Sequence, residues 1–157
     1  MRSVALALCA LSTSFAIAAA APAAQAGGPR IDAGERAIVR AINRARAHQG
    51  LRSLQAGGRL ARAADAHSRN MLAADYFAHG AFAQRVRQYV GYRLIGETLA
   101  MMSRCSAGRV VRLWLSSPGH RAVLLSPGFG RVGVGRRVGR LGNRRACMVT
   151  ADFASRR

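Results

Sequence analysis

Apolar residues recur at helical spacing in the first half of the chain. In DAGERAIVRAINRARAH, residues 32–48, apolar side chains fall on one side and arginines on the other, which predicts an amphipathic helix that ends before Gly50. The connector LRSLQAGG follows it. A second, longer helix is predicted beyond the connector, because apolar-stripe positions then return every three or four residues, at Leu60, Ala64, His67, Met71 and Ala74.

The second half of the chain changes from helical to strand patterning. GYRLIGETLAMM is punctuated by glycine and rich in β-forming residues, so we expect an irregular strand that holds Glu97. Val110, Val111, Trp114 and Leu115 predict a third amphipathic helix. FGRVGVGRRVG and RRACMVTADFA alternate as two strands joined by a turn at RLGN. Helices lead and paired strands close the chain, which predicts the α+β class.

The first residues have the pattern of a secretory signal. A positive start at Met1-Arg2, the apolar stretch VALALCALSTSFAIAAAA and the small residues AQA before Gly27 form that pattern. We therefore expect residues 1–26 to be a signal peptide, and residues 27–157 to form one domain of a secreted, periplasmic or otherwise extracytoplasmic protein. A retained membrane anchor is the alternative, because the stretch approaches the ~20 residues that span a bilayer.

The chain is strongly basic, with a formal net charge of +19, and all 25 of its lysine-or-arginine residues are arginine. A genome with skewed codon usage would produce the same bias, so the arginines alone do not indicate phosphate recognition. Two groups stand out, in the middle turn and in the final hairpin: Arg85, Arg87 and Arg93, and Arg136, Arg137, Arg140, Arg144 and Arg145.

Such a surface attracts polyanions. Nucleic acid is not expected, because the chain is predicted to be exported and no aromatic residues alternate with the arginines as stacking platforms. We predict anionic envelope polymers or lipids as partners, with a solvated surface that binds no partner as the alternative.

Two cysteines, Cys105 and Cys147, remain after removal of the predicted signal peptide. An even pair in an oxidising compartment predicts a disulfide. The long loop between them gives that bond a stabilising effect of about 4 kcal/mol in the chain-entropy model. Two free buried thiols are the alternative.

The helical segments give two histidines different predicted roles. His67 lies on an apolar stripe, so we expect a hydrogen-bonded core histidine. Ser117 and Pro118 are a helix-start signature, because the hydroxyl can cap an amide and proline has no amide to lose. A helix start does not require His120. The positive end of the helix dipole disfavours protonation of His120, so we expect a neutral imidazole that accepts a hydrogen bond or binds a metal.

Five segments, in their order along the chain, resemble bacterial members of the CAP superfamily. These are the SCP-like domains related to cysteine-rich secretory proteins, antigen 5 and plant pathogenesis-related 1 proteins. The segments are AIVRAINRARAHQGLRSL, LARAADAHSRNMLAADYFAHG, GETLA, VVRLWLSSPGHRAVLLSP and GFGRVGVG. The resemblance runs from about Gly34 to Phe153. It implies an α-β-α sandwich with a central, mainly antiparallel sheet.

The resemblance also implies a surface cleft where two histidines and two acidic residues meet, in some members around zinc. His79, Glu97 and His120 match three of these four positions. Ser117 stands where eukaryotic relatives place the other glutamate, and Thr98 stands where an asparagine is usual. The fourth member of the cleft therefore does not carry over to this chain.

Two imidazoles and one carboxylate would form the ligand set of an open zinc site, so zinc at His79, Glu97 and His120 is the candidate cofactor. Without the second carboxylate, no obvious general base remains to take a proton from bound water. We therefore predict a monomeric, secreted binding module with a His/Glu cleft and assign no catalytic residue. The alternatives are a metal-dependent hydrolase that uses the same three residues, and a sterol or lipid carrier.

Overall fold

The computed structural model describes residues 31–155, so the predicted signal peptide lies outside the described residues. No helix among residues 31–155 is long and apolar enough to cross a membrane. The elements, in chain order, are α1 (Ala33–Ala47), β1 (Gln55–Ala56), α2 (Gly58–Ala73), α3 (Phe82–Arg87), β2 (Ile95–Met102), α4 (Ala107–Ser116), α5 (Pro118–Leu124), β3 (Arg131–Leu141) and β4 (Arg144–Ala154).

The strands form one four-stranded sheet in the order β1-β3-β4-β2. β3 and β4 are an antiparallel hairpin whose turn contains Gly142, at a φ of 53° that favours glycine. β2 pairs antiparallel with β4, and β1 adds a two-residue parallel pairing to β3. The predicted α+β class and the mainly antiparallel sheet are confirmed.

Helices cover both faces of this sheet. On one face, α2 lies directly against β3, because a Cβ added to Gly133 or Gly135 would lie 2.1 Å from backbone atoms of α2. On the other face, Val132 and Val134 pack in the main core with residues of α1 and α4, including Trp114. The arrangement is the α-β-α sandwich that the sequence predicts.

The helix ends follow local sequence signals. Asp32 and Glu35 form a reciprocal capping box at the start of α1, with N···O distances of 2.7 and 2.8 Å. α1 ends at Ala47, and Gly50 then takes a φ of 65°, as the sequence predicts for a glycine that ends a helix. At α4, the buried Trp114 donates from Nε1 to the Leu99 carbonyl of β2 at 2.8 Å, which fixes this helix on the sheet.

The junction between α4 and α5 corrects one prediction. Ser117 does precede α5, and Pro118 is its first residue, but the Ser117 hydroxyl makes no capping hydrogen bond. Ser117 ends α4 and begins α5 at once: its N–H donates to the Trp114 carbonyl, and its carbonyl accepts from Arg121 N–H. These backbone bonds hold the junction without the hydroxyl, so the predicted capping role of the hydroxyl is wrong.

Three further elements differ from the sequence prediction or complete it. β1 lies in the segment predicted as a connector, and α3 follows the turn that carries His79, in a segment where no helix is predicted. β2 is a regular strand of eight residues rather than an irregular one. The predicted Cys105–Cys147 disulfide is present, with a Cα–Cα distance of 5.4 Å.

Candidate functional site

Three elements bring the predicted cleft residues together at one end of the sheet. His79 lies in the loop between α2 and α3, Glu97 lies near the start of β2, and His120 lies in the first turn of α5. Gly80, at a φ of 55°, turns the loop immediately after His79. Ser117 lies at the start of α5, three residues before His120.

The side chain of His67 hydrogen-bonds to the loop that carries His79. His67 of α2 is 2% exposed, and its Nε2 lies 3.0 Å from the carbonyl oxygen of Ala78, the residue before His79. Burial lowers the pKa of His67, so the neutral ring that donates to Ala78 is the favoured form. The prediction of a hydrogen-bonded core histidine is confirmed.

His79 and Glu97 form the centre of the site. His79 Nδ1 lies 2.7 Å from Glu97 Oε1, the His79 side chain is 47% exposed, and the Glu97 side chain is 1% exposed. A carboxylate accepts this hydrogen bond, so Nδ1 donates and Nε2 is the ring nitrogen left toward solvent. A buried carboxylate therefore orients a half-exposed imidazole.

Arg85 of α3 occupies the other side of Glu97. Its Nη2 donates to Glu97 Oε2, and its Nη1 donates to the His79 carbonyl at 3.2 Å. Both carboxylate oxygens of Glu97 are therefore engaged. Arg85 is predicted from the sequence as a surface charge beside the middle turn. Its side chain is instead only 18% exposed.

His120 lies beside His79 on the more exposed side of the site. Its ring centroid lies 6.3 Å from that of His79, with 48° between the ring planes. Burial, and secondarily the nearby His79, lower the pKa of His120. The direction agrees with the predicted neutral imidazole, although the causes are burial and a neighbouring histidine rather than the dipole of the short helix α5.

Asp152 is a further acidic residue of the site, and it is not among the residues predicted from the sequence. It lies in β4 directly opposite Glu97 of β2 and is fully buried. Burial, reinforced by the neighbouring Glu97, raises its pKa well above the usual range, and Arg85 opposes that rise. An aspartate at an apolar-alternating position of TADFA was the available signal, because aspartate is almost never fully buried without a partner.

The side chains at this site do not fit a zinc ion. Within residues 31–155, no three histidine, cysteine, aspartate or glutamate side chains are arranged to hold a metal. Glu97 directs one oxygen at His79 and the other at Arg85, and His79 Nδ1 is committed to Glu97. The nitrogens left for a metal are those of two imidazoles, fewer than the three protein ligands of an open zinc site.

A separate groove runs between α1, α4 and α5. Its volume is about 400 Å³, within the range of small-molecule sites. Its lining combines apolar side chains with cationic ones, among them Val111, Leu115, Arg44, Arg112 and Arg121. The groove thus brings apolar and cationic side chains together on one surface.

Comparison with known proteins establishes the family of the chain. Residues 39–153 match the model of the cysteine-rich secretory protein family, CAP. The chain belongs to this family. The protein YkwD of Bacillus subtilis (strain 168) is 32% identical over 111 residues, which are 67% of this chain and 43% of YkwD. The CAP chain thus spans less than half the length of that relative.

Two solved structures of bacterial proteins have a similar fold. An extracellular protein of Bacillus anthracis that contains an SCP domain is 28% identical, with a TM-score of 0.66 over 78% of this chain and 40% of that protein. An outer surface protein of Borrelia burgdorferi is 22% identical, with a TM-score of 0.67 over 83% of this chain and 99% of that protein. The latter likeness concerns the fold alone.

Proposed function

We propose that this CAP domain is an extracytoplasmic binding module that attaches to anionic groups of envelope polymers or lipid headgroups. The contact surface is the tip of the β3–β4 hairpin. Three arginines, Arg140, Arg144 and Arg145, form this hairpin tip. Support comes from the way the chain distributes its few acidic residues.

Each of the six acidic residues of the chain is buried or bound to a donor. The partners are Arg136 for Asp32, the Arg136 amide for Glu35, Arg69 and Arg137 for Asp65, the Gly142 amide for Asp75, and Arg85 for Glu97, while Asp152 is buried. Of the 21 arginines among residues 31–155, only four form ion pairs with carboxylates. Little acidic surface remains to offset the positive field.

The hairpin separates arginines that hold the fold from arginines that face solvent. Arg136 pairs with Asp32 at 2.7 Å, and Arg137 pairs with Asp65 at 2.6 Å, so these two tie the hairpin to the start of α1 and the middle of α2. They are therefore committed within the molecule. The hairpin tip is the part of the predicted basic group that remains for a ligand.

The observation that carries the proposal is a like-charged cross-strand pair at the hairpin tip. Arg140 of β3 lies directly opposite Arg145 of β4, and Arg144 immediately precedes Arg145 in the chain. All three are exposed, and like charges directly opposite each other destabilise a strand pair. Among the described residues, no carboxylate pairs with these arginines. An anionic group bound between them would relieve the repulsion.

The experiment replaces Arg140, Arg144 and Arg145 together with glutamine. Binding to lipopolysaccharide and to phosphatidylglycerol vesicles is measured at increasing salt, with phosphatidylcholine vesicles as the neutral target. Each arginine near an anionic surface contributes about 1 kcal/mol, so the variant should bind roughly 100-fold more weakly at low salt and should respond less to added salt. Binding to lipopolysaccharide alone, or to phosphatidylglycerol vesicles alone, would identify the source of the anionic groups that the domain binds.

The matched control removes three exposed arginines elsewhere, Arg40, Arg52 and Arg109, and so changes the net charge by the same amount. This control should retain most of the binding. Unchanged binding in the hairpin variant, or an equal loss in both variants, would contradict a specific role for the hairpin tip.

A further inference from the structure

We propose that the Arg85 guanidinium is the resident cation of the His79–Glu97 site and excludes a divalent metal from it. Arg85 is thus a positioning residue: it acts on the exposed imidazole of His79 through Glu97. The inference is independent of the hairpin tip.

The first support is the double engagement of Arg85. Its two terminal nitrogens reach two different elements, the Glu97 carboxylate on β2 and the His79 backbone carbonyl in the loop. The planar fork of a guanidinium suits such paired contacts better than a point charge does. Arg85 therefore fixes the loop and the carboxylate relative to each other, which is the task that a bound metal performs in a metal site.

The second support is the charge that lies beneath the site. Glu97 and Asp152 face each other across neighbouring strands, where directly opposed Cβ atoms are about 5 Å apart. Both side chains are buried, and no amide, hydroxyl or cationic donor among the described residues hydrogen-bonds to either oxygen of Asp152. Burial favours the protonated form of Asp152, which leaves the buried Glu97 carboxylate as the charge that requires a cation. Arg85 is the cation that the chain itself supplies.

The third support is that Arg85 leaves no position for a second cation. Both oxygens of Glu97 and Nδ1 of His79 are engaged, so a metal would have to displace the guanidinium or lie beside it. Displacement would strand a charged group that is mostly buried, and a position beside it would bring like charges together. The site instead offers His79 Nε2 and the neutral His120 ring, which suit a ligand group that donates a hydrogen bond, such as a hydroxyl.

The test measures the melting temperature at neutral pH with and without excess zinc. Wild type and the control R87M, which removes an exposed arginine from the same helix, should show no zinc-dependent rise. R85M should gain a rise of roughly 5 °C, because zinc then binds the folded state through the freed carboxylate and the imidazoles. Adding His79→Ala or His120→Ala to R85M should abolish that gain.

Conservative variants separate this role from a merely structural one. R85K keeps the positive charge and should stay insensitive to zinc. If R85M fails to fold, R85Q replaces it, because glutamine can still donate to Glu97 without the charge. A zinc-dependent rise in wild type as large as in the uncharged variants would overturn the proposal, and so would the absence of any zinc response in a folded, uncharged variant.

Discussion

Among single residues, Asp152 carries the largest consequence for stability. Its pKa is raised well above the usual 3.8, first by burial and then by Glu97. The folded state thus holds a proton that the unfolded chain releases as pH rises above that ordinary value. The stabilising contribution of protonated Asp152 is complete below the pKa of the unfolded chain and falls as pH rises from that value to the folded-state pKa. Above the folded-state pKa it changes no further.

D152N should remove this pH-dependent cost, because asparagine has nearly the same shape and no charge. The variant and the wild type should differ least in acid, near about pH 3. The variant should then gain relative stability as pH rises, until the difference levels off above the folded pKa. Urea unfolding midpoints across the pH range measure the effect, and a difference that stays constant with pH would show that Asp152 has no raised pKa.

The control for this prediction is D65N, which changes a carboxylate that pairs with Arg69 and Arg137. These pairs involve partly exposed arginines, so their loss should cost at most about 1 kcal/mol near neutral pH. D65N should therefore lower the free energy of unfolding near neutral pH, whereas D152N should raise it. The two variants therefore distinguish a buried neutral carboxyl from an ion-paired one.

The site could be predicted from sequence only as far as single positions carry a recognisable pattern. His79, Glu97 and His120 stand in segments that resemble the family, and the structure places them near one another. Arg85 could not be singled out, because one arginine among 25 carries no distinguishing signal. Asp152 became visible only when the strand register placed it opposite Glu97.

At the scale of elements, the contact between α2 and β3 depends on two glycines. A Cβ at Gly135 would lie 2.1 Å from the Asp65 backbone nitrogen, and one at Gly133 would meet α2 as closely. Backbone cannot yield as the end of a flexible side chain can. The helix that carries His67 can therefore pack this closely against the sheet only while both positions lack side chains.

Gly135→Ala should force α2 away from the sheet and destabilise the protein by about 3 kcal/mol, at the upper end of overpacking effects. Gly58→Ala is the matched control, because nothing lies within 4 Å of an added Cβ at this helical position. It should be neutral or slightly stabilising. Chemical denaturation of both variants measures the difference, and equal stabilities would mean that α2 adjusts freely.

The long elements were predictable and the short ones were not, for a physical reason. α1, α2 and α4 each bury one face over many residues, which gives the sequence a helical period, and the two hairpin strands are eleven residues long. α3 has six residues and buries one of them, Val86. β1 exists because Gln55 pairs with Arg131 far along the chain. Isolated segments this short are marginal, so tertiary contacts decide their structure.

At the scale of the whole molecule, the disulfide joins two parts of the core that the chain visits far apart. Cys105 follows β2, and Cys147 is buried in β4, 42 residues later. Reduction should lower the free energy of unfolding by about 4 kcal/mol in the chain-entropy model. Urea unfolding with and without reductant checks the value, with alkylation before digestion to count free thiols. Two labelled cysteines in unreduced protein would contradict the bond.

The same bond protects the exposed hairpin tip against the consequences of proteolysis. Arg140, Arg144 and Arg145 are exposed next to a turn, which is where arginine-specific proteases cleave most readily. All three lie within the covalent ring that Cys105 and Cys147 close. One cut at the hairpin tip would open the backbone without releasing a fragment, because both ends stay tethered through sulfur. The CAP domain thus bears these exposed peptide bonds where a single scission cannot divide it.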